Sequence, residues 1–226
     1  MSGFAALLLD LDGTLLDTAP DMGGALNRLR AERGLEPLPF SRIRPVVSHG
    51  AARLVTLGFP DASGDEFETL RLRFLEIYAQ HLATDTRLFP GFDPVLDELE
   101  QRGLPWGVVT NKPAWLTDPL LAALGLDRKA GCVVSGDTLP ERKPHPLPLL
   151  HAAGLIGVPP ARCVYVGDAQ RDIQAGRAAG MTTVVAAYGY LAADDDPASW
   201  GPAGIVSEPA ELLAWMEPRA VRVSGS

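Results

Sequence analysis

The sequence predicts an α/β fold built on a doubly wound, Rossmann-like parallel sheet, with a helical segment inserted after the first strand. Residues 4–9 are apolar throughout, as expected of a strand buried on both faces of a parallel sheet. No convincing strand pattern appears between residues 17 and 87, whereas strand and helix patterns alternate from there to the end. We therefore expect an α/β core domain of residues 1–17 and 88–226 and an α-helical cap domain of residues 18–87.

The helical segment divides into three predicted helices. The first has Thr18 as its N-cap and Pro20 just inside it, and Gly34 ends it. The second covers residues 49–57 and the third covers residues 65–82. The third helix has an amphipathic face, because its apolar residues recur at spacings of three and four: Phe67, Leu70, Phe74, Ile77 and Tyr78.

The remainder of the chain alternates strand and helix. Strands are predicted at residues 106–110, 132–135, 163–166 and 182–186, with a short one near residue 205. Helices are predicted at residues 93–102 and 114–124, from about residue 146, around residues 173–179 and at residues 209–216. Right-handed crossovers then make the strands parallel. Residues 194–197 are expected to form a polar loop, and residues 219–226 to be frayed.

Composition narrows the class of protein. The 226 residues suffice for one sizeable domain, and a formal net charge of −8 argues against nucleic acids and anionic membranes as partners. No apolar run is long enough to cross a bilayer, and the first apolar segment lacks the basic flank of a signal peptide. Cys132 and Cys163 have no zinc-like spacing and are expected to be buried thiols. We expect a cytoplasmic monomer or homodimer.

The first apolar run ends in two carboxylates, Asp10 and Asp12, followed by Gly13. Residues i and i+2 of a strand project to the same side, and open α/β sheets bind ligands at the carboxyl ends of their strands. Two negative charges in one small space repel each other unless a cation or a shared proton intervenes. The pair predicts a metal, a nucleophile with an acid/base partner, or both. The alternative is a simple Asp-Gly turn.

Three later strand ends also carry polar residues. Thr110 and Asn111 offer a hydroxyl and main-chain N–H groups that can hold phosphate oxygens, although such residues also cap helices. Lys143 precedes a proline, which favours an extended backbone that can aim its ammonium at clustered carboxylates; the alternative is a solvated basic turn. Asp168 and Asp172 could share a cation such as Mg²⁺, or serve as a helix cap and an exposed acid.

Taken in order, these four junctions resemble the haloacid dehalogenase-like hydrolase superfamily over nearly the whole chain. Residues 10–14 match its first motif, Thr110 its second, Lys143 its third and residues 167–172 its fourth. The resemblance implies a Mg²⁺-dependent phosphate-monoester hydrolase that acts on a small phosphorylated metabolite. Asp10 would attack phosphorus to form an aspartyl-phosphate, and the acid two residues later would act as general acid and base.

The resemblance also implies ligands for the metal and for the transferred group. Mg²⁺ would be held by Asp10, Asp168 and the main-chain carbonyl of Asp12, and Asp172 would support it directly or through water. A threonine hydroxyl, the following N–H and a lysine, provided by the second and third motifs, would stabilise charge in the transition state.

Substrate selection is expected in the inserted helices. His49 and Arg53, at the start of the second helix, could meet a substrate carboxylate or hydroxyl, and Asn111 is expected to bind substrate from the core. Residues 108–113 and 143–146 resemble the corresponding segments of phosphoglycolate phosphatases. Residues 188–190 and 195–202 are similar to N-acetylmuramic acid 6-phosphate phosphatases.

Four competing interpretations follow from the same residues. A phosphotransferase of this fold, similar to a β-phosphoglucomutase, would use the same two acids but pass phosphate to a sugar. A dehalogenase is disfavoured because Asp12 would have no role. A phospho-acceptor signalling module is disfavoured by the helical insertion and the second acid. An inactive binding protein is disfavoured because every matched motif residue is intact.

Overall fold

The computed structural model describes residues 4–216, and its central feature is a six-stranded parallel sheet. The strands are β1 (Ala6–Leu9), β2 (Leu16–Asp17), β3 (Arg87–Leu88), β4 (Trp106–Val109), β5 (Cys132–Val134), β6 (Cys163–Gly167), β7 (Thr182–Ala186) and β8 (Gly204–Val206). The sheet order is β5-β4-β1-β6-β7-β8, while β2 and β3 form a separate antiparallel pair. The frayed terminus expected at residues 219–226 lies outside the described residues.

Helices connect the strands and fill the long insertion between β2 and β3. The α-helices are α1 (Ala19–Glu32), α2 (Phe40–Ile43), α3 (Gly50–Gly58), α4 (Gly64–Gln80), α5 (Phe92–Gln101), α6 (Ala114–Ala123), α7 (Leu147–Leu155), α8 (Gln170–Ala178) and α9 (Leu213–Met216). Single 3₁₀ segments cover Arg44–His49, Pro160–Arg162, Pro197–Trp200 and Pro209–Leu212. The predicted α/β class with inserted helices is confirmed. We call α1 to α4 and their connections the helical insert.

Strand β1 lies in the middle of the sheet and is buried on both faces. Leu7 and Leu9 belong to one hydrophobic cluster, whereas Ala6 and Leu8 belong to another on the opposite side. All four are fully buried. Alternation across the strand therefore explains why the sequence is continuously apolar there.

The helical insert agrees with the predicted helices except at two points. Thr18 does not cap α1, because its backbone is already helical and its hydroxyl instead donates to Asp12 Oδ1 at 2.7 Å. The prediction that Gly34 ends α1 is confirmed, since Gly34 has φ +67° and Leu35 N–H donates back to Arg30 O. Helix α2 and the 3₁₀ segment that follows it were not predicted from the sequence. Both are too short to show a helical period.

Two buried contacts fix the ends of the helical insert against the sheet. The carboxylate of Asp21 in α1 accepts hydrogen bonds from Asp85 N–H, Thr86 N–H and Thr86 Oγ1 at 2.9, 3.0 and 2.7 Å. Tyr190, after β7, donates its hydroxyl to Asp17 Oδ1 at 2.7 Å and accepts from Ala19 N–H at 2.9 Å. These contacts hold the start of α1 and its return segment beside the carboxyl end of β1.

Candidate active site

Three carboxylates meet at the carboxyl edge of the sheet. Asp10 directly follows β1 and Asp168 directly follows β6; the two strands are neighbours, so the two acids lie side by side. Asp172 reaches the same place from the first turn of α8. All three are buried, and one oxygen from each lies within 4.8 Å of the others. Such an oxygen-rich cluster suits a hard divalent cation.

Lys143 lies among these acids. Its Nζ is 2.7 Å from Asp10 Oδ1 and 2.7 Å from Asp172 Oδ1, and it donates to Val109 O and Tyr165 Oη at 2.8 Å each. The side chain is buried and its ammonium points inward. Lys143 and the nearby guanidinium of Arg171 provide two positive charges for three carboxylates, so a further cation would complete the charge balance.

The side chain of Asn111 holds the main chain of Lys143. Its Nδ2 donates to Lys143 O at 2.9 Å, and its Oδ1 accepts from Lys143 N–H at 3.0 Å. The amide nitrogen and the amide oxygen of Asn111 therefore both bond to the main chain of Lys143 and fix its position. Asn111 is predicted from the sequence to bind substrate, and the structure adds this positioning contact.

Burial and mutual repulsion dominate the electrostatics of the cluster. Burial and the nearby charges of Asp10 and Asp172 together raise the pKa of Asp168 to about 7. Burial also raises the pKa of Asp10, against the attraction of Lys143. Both shifts favour protons on these acids unless a cation neutralises them.

The surroundings of Asp168 fit a bound metal ion. Its Oδ2 accepts hydrogen bonds from Ser48 Oγ at 2.5 Å and from Tyr190 N–H at 2.9 Å. Its Oδ1 is buried and has no hydrogen-bond partner within residues 4–216. A buried carboxylate oxygen without a donor is costly, and a cation would satisfy it. Gly13, with φ +83°, leaves room for the Asp168 carboxylate, because a Cβ there would lie 2.1 Å from Asp168 Oδ2.

Asp12 has a different environment from the other acids. Its Oδ1 accepts from Thr18 Oγ1 at 2.7 Å and from Lys112 Nζ at 2.9 Å. Lys112 also donates to Tyr78 Oη of α4 at 2.8 Å. Sequence reasoning gave no role to Lys112 or Tyr78. A signal existed for Lys112, since it precedes a proline just as Lys143 does.

Asp10 and Asp12 line a cavity of about 690 Å³ between the sheet edge and the helical insert. Thr110 and Asn111 line it from the core, and His49 lines it from the insert. Partial burial lowers the pKa of His49, as do Arg171 and Arg53 nearby, which favours a neutral imidazole. Arg53 is exposed on α3 and is not among the lining residues, so the structure does not bring it to the acids.

The insert and the core touch at the mouth of this cavity. Arg171 of the core donates from Nη2 to Ser48 O at 2.6 Å. Arg44 of the insert donates to Gly189 O at 2.9 Å and to Tyr188 O at 3.2 Å. In the sequence, residues 188–190 carry only a resemblance to a family. In the structure this segment links the insert to the carboxylate cluster.

Comparisons with known proteins agree with this architecture. A family model described as haloacid dehalogenase-like hydrolase matches residues 4–180. A phosphoglycolate phosphatase of Xanthomonas campestris pv. campestris (strain 8004) is 47% identical over 216 residues, which cover 94% of this chain and 98% of the relative. The N-acetylmuramic acid 6-phosphate phosphatase of Pseudomonas aeruginosa PAO1 is 42% identical over 209 residues, covering 92% of each chain.

A solved structure has the same fold over nearly the whole chain. The crystal structure of a predicted phosphoglycolate phosphatase from Haemophilus somnus 129pt superimposes with a TM-score of 0.85 at 30% identity. The match covers 96% of this chain and 100% of that one. In residues 4–216, none of the helices has both the length and the apolar character required to span a membrane.

Proposed function

Because the chain belongs to the haloacid dehalogenase-like hydrolase family, we propose that it hydrolyses the phosphate monoester of a small metabolite through an aspartyl-phosphate on Asp10. It is a phosphoglycolate phosphatase-like hydrolase. The observation that carries the mechanism is the separation of roles at the sheet edge. Asp10 lies in the buried carboxylate cluster with Lys143, whereas Asp12 has its own donors beside the same cavity.

In the first step, a carboxylate oxygen of Asp10 attacks phosphorus while the bond from phosphorus to the alcohol oxygen breaks. Asp12, protonated at the start, gives its proton to the departing oxygen, so that a neutral alcohol leaves. Thr110, the N–H that follows it and Lys143 stabilise the negative charge that develops on the phosphoryl oxygens. The step ends with an aspartyl-phosphate on Asp10 and an ionised Asp12.

In the second step, the ionised Asp12 takes a proton from a water molecule as the water oxygen attacks phosphorus. The bond from phosphorus to Asp10 breaks, which releases inorganic phosphate and restores the Asp10 carboxylate. Asp12 again carries the proton with which it began. Lys143, whose main chain is held by Asn111, lies 2.7 Å from Asp10 Oδ1, a position from which it can support both steps.

The residues present fit a Mg²⁺ ion. Asp10, Asp168 and the main-chain carbonyl of Asp12 would hold it, with Asp172 acting directly or through water, and the unpartnered Asp168 Oδ1 supports this assignment. When bound, the ion would supply positive charge that offsets the carboxylates and the phosphoryl oxygens. Lys143 alone has too little positive charge to keep all of these acids ionised, and the ion would add the charge that is needed.

We propose 2-phosphoglycolate or N-acetylmuramic acid 6-phosphate as the substrate, following the names of two relatives. The cavity of about 690 Å³ has the size of an ordinary small-molecule site, which spans about 300–1,000 Å³. We further propose that residues 18–87 act as a cap that selects the substrate, with His49 facing it and Arg53 contributing if the insert moves. A phosphotransferase remains the second candidate, because it would use the same two acids.

The test of the mechanism is Asp10→Asn. We expect this variant to fold normally and to lose Mg²⁺-dependent phosphate release, because an amide cannot serve as the nucleophile. Asp118→Asn, which changes an exposed acid on α6, is the matched control and should retain full activity. Undiminished turnover by Asp10→Asn would contradict the mechanism.

The test of the substrate is a panel of phosphate esters that contains both candidates. Selective hydrolysis of one of them assigns it, and equal, slow rates on every ester reject both. Phosphate release is measured beside isomer formation from sugar phosphates, so a phosphotransferase would be recognised by product without net release of phosphate.

A further inference from the structure

Lys112 is a buried cation beside Asp12 that the mechanism above does not use. We propose that Lys112 is a positioning residue that holds the Asp12 carboxyl group with Oδ2 turned toward the reacting phosphate. The proposal rests on the proposed function, since it concerns how Asp12 delivers and takes up its proton. Lys112 is the third residue of the segment that begins with Thr110 and Asn111, so all three residues of this segment would then act at the site.

The hydrogen bonds of Asp12 distinguish its two oxygens. Thr18 Oγ1 and Lys112 Nζ both donate to Oδ1, at 2.7 and 2.9 Å. No side chain or main-chain group within the described part of the chain donates to Oδ2. Two donors on one oxygen fix the plane of the carboxyl group and leave the other oxygen for the proton in transit. Thr18 alone would leave the carboxyl group free to rotate about its hydrogen bond.

Lys112 can hold a position because its own main chain is anchored on both sides. Its N–H donates to Thr110 Oγ1 at 3.1 Å, and its carbonyl accepts from Gly136 N–H at 2.8 Å. Its side chain is 4% exposed, so the ammonium is shielded from water. A long side chain that is buried and anchored in this way loses the freedom that weakens surface ion pairs.

The helical insert supplies the other partner of the ammonium. Tyr78 of α4 accepts a hydrogen bond from Lys112 Nζ at 2.8 Å, and the ammonium lies 4.5 Å from the centre of its ring. Tyr78 is fully buried and its ring stacks on Phe74 at a centroid distance of 6.4 Å. The insert therefore contacts Asp12 indirectly, through Tyr78 and Lys112. The position of the insert on the core then affects the orientation of the Asp12 carboxyl group.

The composition of the chain supports a specific use for this lysine. The chain has three lysines, and two of them, Lys112 and Lys143, are buried at the candidate site. Lys143 contacts Asp10 and Asp172, whereas Lys112 contacts Asp12. Because burying an ammonium is costly, each must have a partner, and the two partners differ.

The proposal predicts a dependence on the leaving group. An alkoxide must be protonated as it departs, so an alkyl ester needs a correctly oriented Asp12 in the first step. p-Nitrophenolate departs without a proton, so its first release should not depend on Asp12. Hydrolysis of the aspartyl-phosphate needs Asp12 as a base with either ester.

The experiment compares Lys112→Met with the wild-type protein, using the best alkyl ester of the panel and p-nitrophenyl phosphate in rapid-mixing measurements. We expect the first turnover of the alkyl ester to fall by about 100-fold, as for other losses of orientation, with KM little changed. The first release of p-nitrophenolate should stay close to the wild-type rate, followed by slow turnover as aspartyl-phosphate accumulates. An equal loss on both esters, or no loss on either, overturns the proposal.

Two further variants separate positioning from folding. Tyr78→Phe keeps the ring on Phe74 and removes only the oxygen that accepts from Lys112, so it should show the same selective pattern with a smaller loss. Lys129→Met removes the exposed lysine and should leave both rates unchanged. If Lys112→Met does not fold, wild-type behaviour of Tyr78→Phe on both esters overturns the proposal.

The outcomes also separate this proposal from the proposed function. A wild-type protein that releases no phosphate from any ester refutes the phosphatase itself, and the role of Lys112 with it. An active wild-type protein whose Lys112→Met and Tyr78→Phe variants lose both esters alike refutes only the positioning role.

Discussion

Asn111→Ala should destabilise the protein and slow its chemistry through Lys143, without loss of substrate affinity. The substitution removes an amide whose two ends bond to the carbonyl and the N–H of Lys143, at 2.9 and 3.0 Å. Lys143 would keep its side-chain partners but lose the anchor of its main chain. The effect therefore appears both in the free energy of unfolding and in kcat.

The magnitude follows from the two hydrogen bonds. Each contributes about 0.5–1.5 kcal/mol net, so losing both should lower the free energy of unfolding by about 2 kcal/mol. For a chain of this size, each kcal/mol lost from the free energy of unfolding lowers the midpoint of thermal unfolding by about 2–4 °C. The midpoint should therefore fall by about 4–8 °C. A displacement of the Lys143 ammonium from Asp10 should lower kcat by up to about 100-fold.

The helical insert contains a matched control. Asn27 of α1 makes the same pair of bonds with the main chain of Leu38, with Nδ2 to O at 3.0 Å and N–H to Oδ1 at 2.8 Å. Asn27→Ala should lose the same two bonds but recover about 0.5 kcal/mol, because alanine favours a helix. It should therefore destabilise the protein slightly less and leave kcat unchanged.

Urea denaturation and steady-state kinetics on both variants provide the assay, with the denaturant slope m expected to stay constant. Asn111→Ala with unaltered stability, unaltered kcat and a raised KM would refute the reasoning. That result would show that the side chain binds substrate, as the sequence analysis expected, and that the contact with Lys143 is incidental.

Three further results are expected. Mg²⁺ should raise the midpoint of thermal unfolding, and EDTA should reverse the rise. When the Mg²⁺ concentration is one hundred times its dissociation constant, the free energy of unfolding should rise by about 2.7 kcal/mol, and an unchanged midpoint would contradict a metal site. Gly189→Ala should lower stability and activity, because its Cβ would lie 2.3 Å from Gly13 O, whereas Gly154→Ala in α7 meets nothing within 4 Å and should be tolerated. Burial raises the pKa of Cys132 and Cys163 to about 11, so iodoacetamide should modify neither at pH 8 in the folded protein and both in urea, as mass spectrometry would show; fast alkylation without urea would contradict their burial.

The fold was predictable because its signals are local. The run that forms β1 is apolar since both of its faces are buried, and the helix face of α4 follows from its spacing of three and four. A parallel sheet then brings the ends of neighbouring strands together, so Asp10 and Asp168 could be expected to meet. These inferences need only burial, period and topology.

Contacts that depend on the orientation of one element against another were not predictable. Tyr78 was placed correctly on the apolar face of its helix, but periodicity does not say that its hydroxyl reaches Lys112. Thr18 has the composition of an N-cap, yet the chain crosses from sheet to insert there and its hydroxyl turns back to Asp12. Ser48 likewise meets Asp168 only because the insert folds over the sheet edge. Each contact joins parts of the chain whose relative position no local pattern records.

The central place of β1 also determines when, during synthesis, the active site can exist. Strand β1 is translated first, but its neighbours β4 and β6 come much later, and the contact from Lys143 to Asp10 joins residues 133 apart in sequence. Contacts this distant in sequence form slowly, because a long loop must close before they contribute. A nascent chain therefore carries its nucleophile on a strand with both edges unpaired until β4 has emerged from the ribosome, and with one edge unpaired until β6 has emerged. An incomplete translation product that ends before β6 therefore exposes an edge of β1 that favours aggregation and lacks a complete active site.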